Sequence, residues 1–250
     1  MNKAELVHLD IADQVATITL DSEHNRNALS RRLVAELEGH LATASEDTES
    51  RAILIRSSGR VFCSGADLSE ASEGGMTQGA HALVRLQRQI ATSPKPVVVE
   101  VGGPVRAGGL GIVGAADIVI AAESVTFQLT EVRLGLAPVV ISLSLLPRLG
   151  DRAAADLFLT ARVFDAAEAV SLGLVTRAVP DDRLGDAVAE VLAELALGSP
   201  QGLRETKRLL NHDLVARIDT LGDEMAKRSA ELFGSAEARE AMKAFLQRRR

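Results

Sequence analysis

The stretch Gly109-Leu110-Gly111-Ile112-Val113-Gly114 has the spacing G-x-G-x-x-G, and Glu131 follows near the place of a ribose-binding acid. Such a run could seat a dinucleotide pyrophosphate on a helix N-terminus, provided that a strand enters the first glycine and a full crossover helix follows the third. Neither condition is met: the apolar strand upstream ends at Val101, and the next begins at Asp117. On their own the glycines are as well explained by close packing or unusual dihedrals. Cys63 beside Ser64 could suggest a thiol nucleophile, but no His is placed by motif to activate it, so it reads as a reduced packing residue. His8, His24, His40 and His212 have no metal-ligand spacing, and His81 reads as solvated or packed.

Composition narrows the classes further. The 250 residues are 46% hydrophobic and 25% charged, enough to bury a substantial core. Aromatic residues make up 2%, with no Trp or Tyr, so the core must be aliphatic and base-stacking platforms are not expected. A net charge of -6 argues against nucleic acid as the main partner. The terminal Arg248-Arg249-Arg250 reads as a solvated basic tail. With a single cysteine there is no intramolecular disulfide, and Met1 to Ile11 lacks the apolar core of a signal peptide. No apolar run reaches membrane-spanning length, so a cytoplasmic protein is expected.

The elements that must position any chemistry alternate over the first two-thirds. Val15 to Leu20, Ala52 to Arg56, Val97 to Val101 and Asp117 to Ala121 read as strands. Ser30 offers an N-cap to a helix bearing Leu33, Val34, Leu37 and Leu41. Ser69 to Gly79, with Gly74-Gly75, reads as a mobile loop. It precedes a helix with Leu83, Leu86 and Ile90 inward, which Ser93-Pro94-Lys95-Pro96 ends. The class is α/β. Later, Asp165 and Glu168 form a capping-box-like start before a short helix and a strand from Leu174 to Val179. Leu184, Val188, Val191, Leu192 and Leu195 share one helical stripe, Ser199-Pro200 caps the next helix, and Leu214, Ile218, Leu221 and Met225 mark another. These place a boundary between a core of residues 1–197 and a helical segment 198–250.

Three segments together resemble the crotonase superfamily, the enoyl-CoA hydratase/isomerase family. They are Asn25-Arg26-Asn27-Ala28-Leu29-Ser30, Val61-Phe62-Cys63-Ser64-Gly65-Ala66-Asp67-Leu68, and the run from Lys95-Pro96-Val97 through Gly102-Gly103 and Ala107-Gly108-Gly109 to Ala116-Asp117-Ile118. Thr130-Glu131-Val132, Leu134-Gly135-Leu136, Leu146 to Gly150 and Leu172 to Val175 follow in family order, so the resemblance covers nearly the whole chain. It implies a crotonase-like spiral of ββα units carrying an acyl-CoA site, with residues 198–250 as a helical trimerisation segment in a homotrimer or hexamer. The substrate is an acyl-CoA thioester, coenzyme A being part of that substrate, with no further cofactor and no metal. The thioester oxygen would be held by the N–H groups of Ala66 and Gly108, and Glu131 would be the acid/base. Arg26, Ala28, Ser64, Ala66, Asp67 and Leu68 would line the acyl-CoA site. Arg26 would meet a CoA phosphate or be surface charge, and Asp67 would touch the adenine region or hold its turn by an Asx bond.

One departure from the family matters. Hydratases of this kind carry two catalytic glutamates, and the first position here is Gly111. With Glu131 alone, hydration must pass through one group, whereas Δ3,Δ2-enoyl isomerisation needs a single base. Decarboxylation, thioester or ring hydrolysis, and acyl-CoA binding without catalysis remain as alternatives. Glu100 and Glu123 match no family position and read as structural.

Overall fold

The computed structural model describes residues 5–73 and 75–247; the terminal arginine run and Gly74 lie outside these. Strands β1 (Val7–Ala12) and β2 (Val15–Leu20) pair as a hairpin over Asp13-Gln14, both at positive φ, as two-residue hairpin turns require. Helix α1 (Arg31–Glu46) begins where Ser30 predicts, the Ser30 Oγ accepting the Leu33 N–H at 3.2 Å. Strand β3 (Ala52–Ser57) leads to a 3-10 stretch, Leu68–Glu73, and then α2 (Gly75–Thr92) and β4 (Val97–Val101).

The segment from Ser69 to Gly79 is therefore helical on both sides of Gly74, not a loop. It has no apolar period of its own, and tertiary contacts decide its form. Leu68 packs with Leu134, Leu136 and Met242, the Glu70 carboxylate accepts the Arg31 N–H at 3.1 Å, and Ala80 is buried with Val140 and Ala226. The chain continues through β5 (Val105–Arg106), α3 (Gly109–Ala115), β6 (Ile118–Ala122) and β7 (Thr126–Gln128). A 3-10 turn, Glu131–Leu134, and helices α4 (Ser142–Leu145) and α5 (Asp151–Thr160) follow. Next come β8 (Phe164–Asp165), α6 (Ala166–Ser171), β9 (Arg177–Val179), α7 (Leu184–Ala196), α8 (Pro200–Leu210), α9 (His212–Phe233) and α10 (Ala236–Gln247). The strand expected from Leu174 shrinks to its last three residues, because Gly173 at positive φ turns the chain and the Leu174 and Val175 N–H groups bond back to Ala169.

Six strands form one sheet in the order β1-β2-β3-β4-β6-β9, parallel except for the first pair. A smaller sheet, β5-β7-β8, lies apart from it. The pairs β4/β5 and β6/β7 each give one strand to each sheet before the next helix, which is the expected ββα spiral. The main core is aliphatic, with Leu33, Leu37, Leu41, Ile53, Ile55, Leu86 and Ile90 fully buried between sheet and helices.

The C-terminal helices pack back on this core. Helix α9 runs against α2 in the opposite direction, with ion pairs Arg88–Asp219 at 2.6 Å and His81–Asp223 at 3.7 Å. A Cβ on Gly222 would lie 2.7 Å from Val84 Cγ1, so glycine lets the two helices approach closely. Helix α8 is mostly exposed, and its buried residue is Lys207. The Lys207 ammonium donates to the carbonyls of Ile90 (2.8 Å) and Lys95 (2.9 Å) and pairs with Asp117 at 2.7 Å. Helix α10 lies on the Glu131–Leu134 turn through Ala238 and Met242. Among the described residues no helix is long and apolar enough to cross a membrane.

Candidate active site

Three chain segments run side by side and leave the small sheet at one edge. Cys63 bridges Val105 in parallel, and Val105 pairs in parallel with Phe127. The Arg106 N–H donates to the Cys63 carbonyl at 2.9 Å, and the Ala107 N–H to the Gln128 carbonyl at 2.9 Å. From that aligned row the chain reaches Ala66, Gly108 and Glu131 within one further turn each. Parallel register therefore carries the three segments that bear Ala66, Gly108 and Glu131 off the same edge of the small sheet.

The two amides are adjacent. A Cβ on Gly108 would stand 3.8 Å from the Ala66 nitrogen, and one on Gly65 would stand 3.5 Å from the Gly108 nitrogen. Among the described residues neither N–H donates a hydrogen bond, although Gly108 is buried and Ala66 half-buried. Paired, unspent donors of this kind suit an oxygen on which negative charge develops. Leu29 and Leu83 side chains flank Gly108, an apolar lining that nothing in the sequence pattern indicated.

Gly65 is required here. Its φ is +90°, and a Cβ would stand 2.9 Å from the Ala107 Cβ and 3.2 Å from the Arg106 carbonyl oxygen. The Gly65→Ala variant must twist the Ala66 amide, so kcat should fall about 100-fold with little change in KM. Steady-state kinetics check this; a kcat within twofold of wild type would show that the Ala66 N–H is not used.

Glu131 begins the 3-10 turn that Gly135 closes at φ +67°. Its Oε2 is buried, with no hydrogen-bond partner among the described residues. Burial pushes the carboxyl up to about 7, and the residue's own N–H offsets only part of that. A carboxyl titrating near neutrality can both take and give a proton. Glu100 is also raised by burial, with Arg56 opposing, but it sits within β4 in the large sheet, away from this edge. Cys63 is fully buried, its thiol pushed up to about 12, in keeping with a packing role.

The remaining candidates gather beside the first amide. Leu29 bridges Ala66 in parallel, its N–H donating to the Gly65 carbonyl at 2.8 Å, and the Ser64 N–H donates to the Arg26 carbonyl at 3.1 Å. Asn27, buried, staples this region through its amide to Val61 O at 2.9 Å. Asp67 holds an Asx turn: its Oδ1 accepts from the Ser69 N–H at 3.0 Å and the Ser69 hydroxyl at 2.7 Å. Ser64 Oγ donates to the Asn25 carbonyl, Ala28 is buried, and Leu68 joins the cluster with Leu134 and Met242. Arg26 has an exposed side chain on a left-handed backbone.

Gly111 occupies a filled place. A Cβ there would come within 2.9 Å of Ile141 Cγ2 and 3.4 Å of Gln87 Cδ. Gln87 is itself fully buried, donating to the carbonyls of Leu83 and Val140 and accepting from the Ser144 hydroxyl at 2.6 Å.

The profile of the enoyl-CoA hydratase/isomerase family matches residues 10–250. A solved enoyl-CoA hydratase from Mycobacterium avium superposes with a TM-score of 0.91 at 42% identity, covering 98% of each chain. A methylmalonyl-CoA decarboxylase in complex with 2-nitronate-propionyl-CoA superposes at 0.83 with 26% identity, over 98% of this chain and 97% of that one. In sequence, a short-chain-enoyl-CoA hydratase of Clostridium acetobutylicum is 28% identical over 98% of this chain and 95% of its own. A ββα spiral, a near-complete family match and whole-length relatives agree: the chain is an enzyme of the enoyl-CoA hydratase/isomerase family, within the crotonase superfamily.

Proposed function

We propose that the protein acts on an acyl-CoA thioester through an oxyanion-stabilised enolate, with Glu131 as the single acid/base. The observation that carries this reading is the carboxyl of Glu131, raised to about 7 by burial with its Oε2 unpartnered among the described residues, beyond the same sheet edge as two amides unspent among those residues. The thioester oxygen accepts from Ala66 N–H and Gly108 N–H. For a 3-enoyl thioester, the Glu131 carboxylate takes a proton from C2, and the electron pair spreads onto the thioester oxygen and, through the C3=C4 double bond, to C4. Protonated Glu131 then returns that proton to C4, leaving the 2-enoyl product with nothing consumed. Each amide would supply about 3 kcal/mol toward the enolate.

Within the hydratase/isomerase pair, isomerisation is favoured by Gly111, since Ile141 and Gln87 fill the place of a second carboxylate. A Gly111→Glu variant should gain no hydratase activity. It should lose about 1–3 kcal/mol of stability in urea melts from overpacking. A gain in hydration of crotonyl-CoA would overturn that packing argument.

We also propose a cytoplasmic homotrimer or hexamer whose segment 198–250 takes part in assembly, a reading supported by exposed Leu209 and Leu210. Arg26, Ala28, Ser64, Asp67 and Leu68 then lie along the acyl-CoA, with Asp67 acting through its turn.

The test is incubation in D2O with 2-enoyl, 3-enoyl and malonyl-type CoA thioesters, followed by mass spectrometry of wild type and Glu131→Gln. Deuterium is expected at C2 and C4 of the 3-enoyl substrate with wild type only. Exchange with no thioester would refute the acid/base assignment. Turnover of the malonyl type alone would point to decarboxylation, and binding without exchange to a carrier.

A further inference from the structure

Arg106 stands two residues before Gly108, and its guanidinium turns away from the site to lie across β7. It donates to the Thr126 carbonyl at 2.6 Å, to the Thr126 hydroxyl at 2.8 Å and to its own neighbour's carbonyl, Val105 O, at 3.0 Å. It is half-buried, and among the described residues no carboxylate pairs with it. Removing a guanidinium from water without a counter-charge costs free energy, so carbonyls and a hydroxyl alone make it an expensive strand clip.

Its location explains what the clip holds. The β5–β7 ladder is only two residues long, Val105 with Phe127 and Arg106 with Gln128. Immediately beyond, Ala107 is a non-glycine residue at φ +46°, a conformation that persists only when its surroundings impose it. Ala107 is constrained on two sides. Its N–H is tied to Gln128 O, and its methyl faces Gly65 so closely that Gly65 could not carry a Cβ. The orientation of this one residue therefore sets the direction of the Gly108 N–H that follows it and limits the peptide that presents the Ala66 N–H. On the other strand, three residues after Gln128, stands Glu131. The bond from Arg106 to Thr126 thus fixes, across two strands, the spacing between the paired amides and the base.

We propose that Arg106 is a positioning residue, acting through Ala107 to aim the two amides at the thioester oxygen and to hold their distance from Glu131. This rests on the oxyanion reading given above. It assigns Arg106 no contact with substrate.

The test compares wild type, Arg106→Met, Arg106→Lys and Thr126→Val. One readout is kcat and KM on the thioester that wild type turns over. A second, independent of turnover, is the infrared carbonyl stretch of bound butyryl-CoA labelled with 13C at C1, which moves to lower frequency as the two N–H groups polarise the carbonyl. For Arg106→Met the expected result is a loss of about tenfold to hundredfold in kcat with KM within about threefold. The carbonyl shift should shrink in parallel. Arg106→Lys, which can reach one acceptor, should recover part of both; Thr126→Val, which keeps the carbonyl acceptor, should show the same pattern more weakly. If Arg106→Met does not fold, the lysine and valine variants decide. The proposal is overturned if the variants that fold keep the wild-type carbonyl shift and kcat while only their melting points fall, since Arg106 then merely joins two strands. It also falls if wild type itself shows no carbonyl shift, but that failure appears in the unaltered protein and belongs to the oxyanion reading.

Discussion

Replacing Glu131 by Gln is expected to lower kcat on the preferred thioester by about three orders of magnitude while making the protein more stable at alkaline pH. The two effects share one cause. The folded protein holds the Glu131 carboxyl in a buried place with no partner for Oε2 among the described residues, and burial raises it from the ordinary 4.5 to about 7, equivalent to roughly 3 kcal/mol. Below 4.5 the folded and unfolded chains are both protonated, and the stability is fully present. As the pH rises from 4.5 through about 7 the unfolded chain ionises before the folded one, so that amount is lost progressively and levels off once the buried carboxyl has also ionised, whereas the Gln variant loses nothing. Urea melts should therefore show the variant's advantage widening by roughly 3 kcal/mol between about pH 5 and 8, then staying level. In the wild type, kcat/KM should fall on the acid side of about pH 7, where the free enzyme loses its carboxylate. A gap that does not change with pH would mean that the carboxyl is solvated and titrates normally.

Removing the ammonium of Lys207 is expected to have the largest effect on stability of any single change far from the site. Lys207→Met leaves Asp117 with the Val97 N–H and the Asn211 amide, but without its cation, and strips the donor from Ile90 O and Lys95 O. Breaking a buried pair from one side costs about 3–5 kcal/mol, or about 6–20 °C in Tm for a chain of this size. Activity at 20 °C should stay within about twofold, because α8 touches neither amide nor Glu131. Adding Asp117→Asn should recover more than about 1 kcal/mol if the two groups are coupled. A single-variant loss under about 1 kcal/mol would show that α8 is not held by this lysine.

Much of the fold is legible in the chain because its signals are local. Ser30 and Ser199 accept from the amides three residues on, as N-caps do, and Ser93-Pro94-Lys95-Pro96 ends α2 at Thr92. Asp165 caps α6, but Glu168 does not complete the box; it pairs instead with Arg162, six residues earlier in the segment that leads into the helix. What stays hidden has no local period. Strand β5 is two residues long, yet it runs into the glycine stretch whose entry strand the sequence placed no later than Val101. Strand β1 is the exception: Val7, Leu9 and Ile11 alternate with His8 and Asp10, a legible period, although only Val7 of that face is fully buried. At the site, Glu131, Ala66 and Gly108 are readable only through the family pattern. The left-handed Ala107, the reach of Arg106 to Thr126 and the packing of Ile141 on Gly111 depend on residues far apart in the chain. No propensity encodes such meetings.

The aligned row of Cys63, Val105 and Phe127 has one more consequence. It acts as a ruler graduated in residues: Ala66, Gly108 and Glu131 each lie a fixed count beyond the row. Side chains past the row can be exchanged with the scale intact, so one scaffold can host several fates for the same enolate. A single residue inserted between Gln128, where β7 ends, and Glu131, where the 3-10 turn begins, would instead move the carboxylate off its count from the row. Insertions in these three short spans should therefore lower activity more than side-chain exchanges at the same positions do.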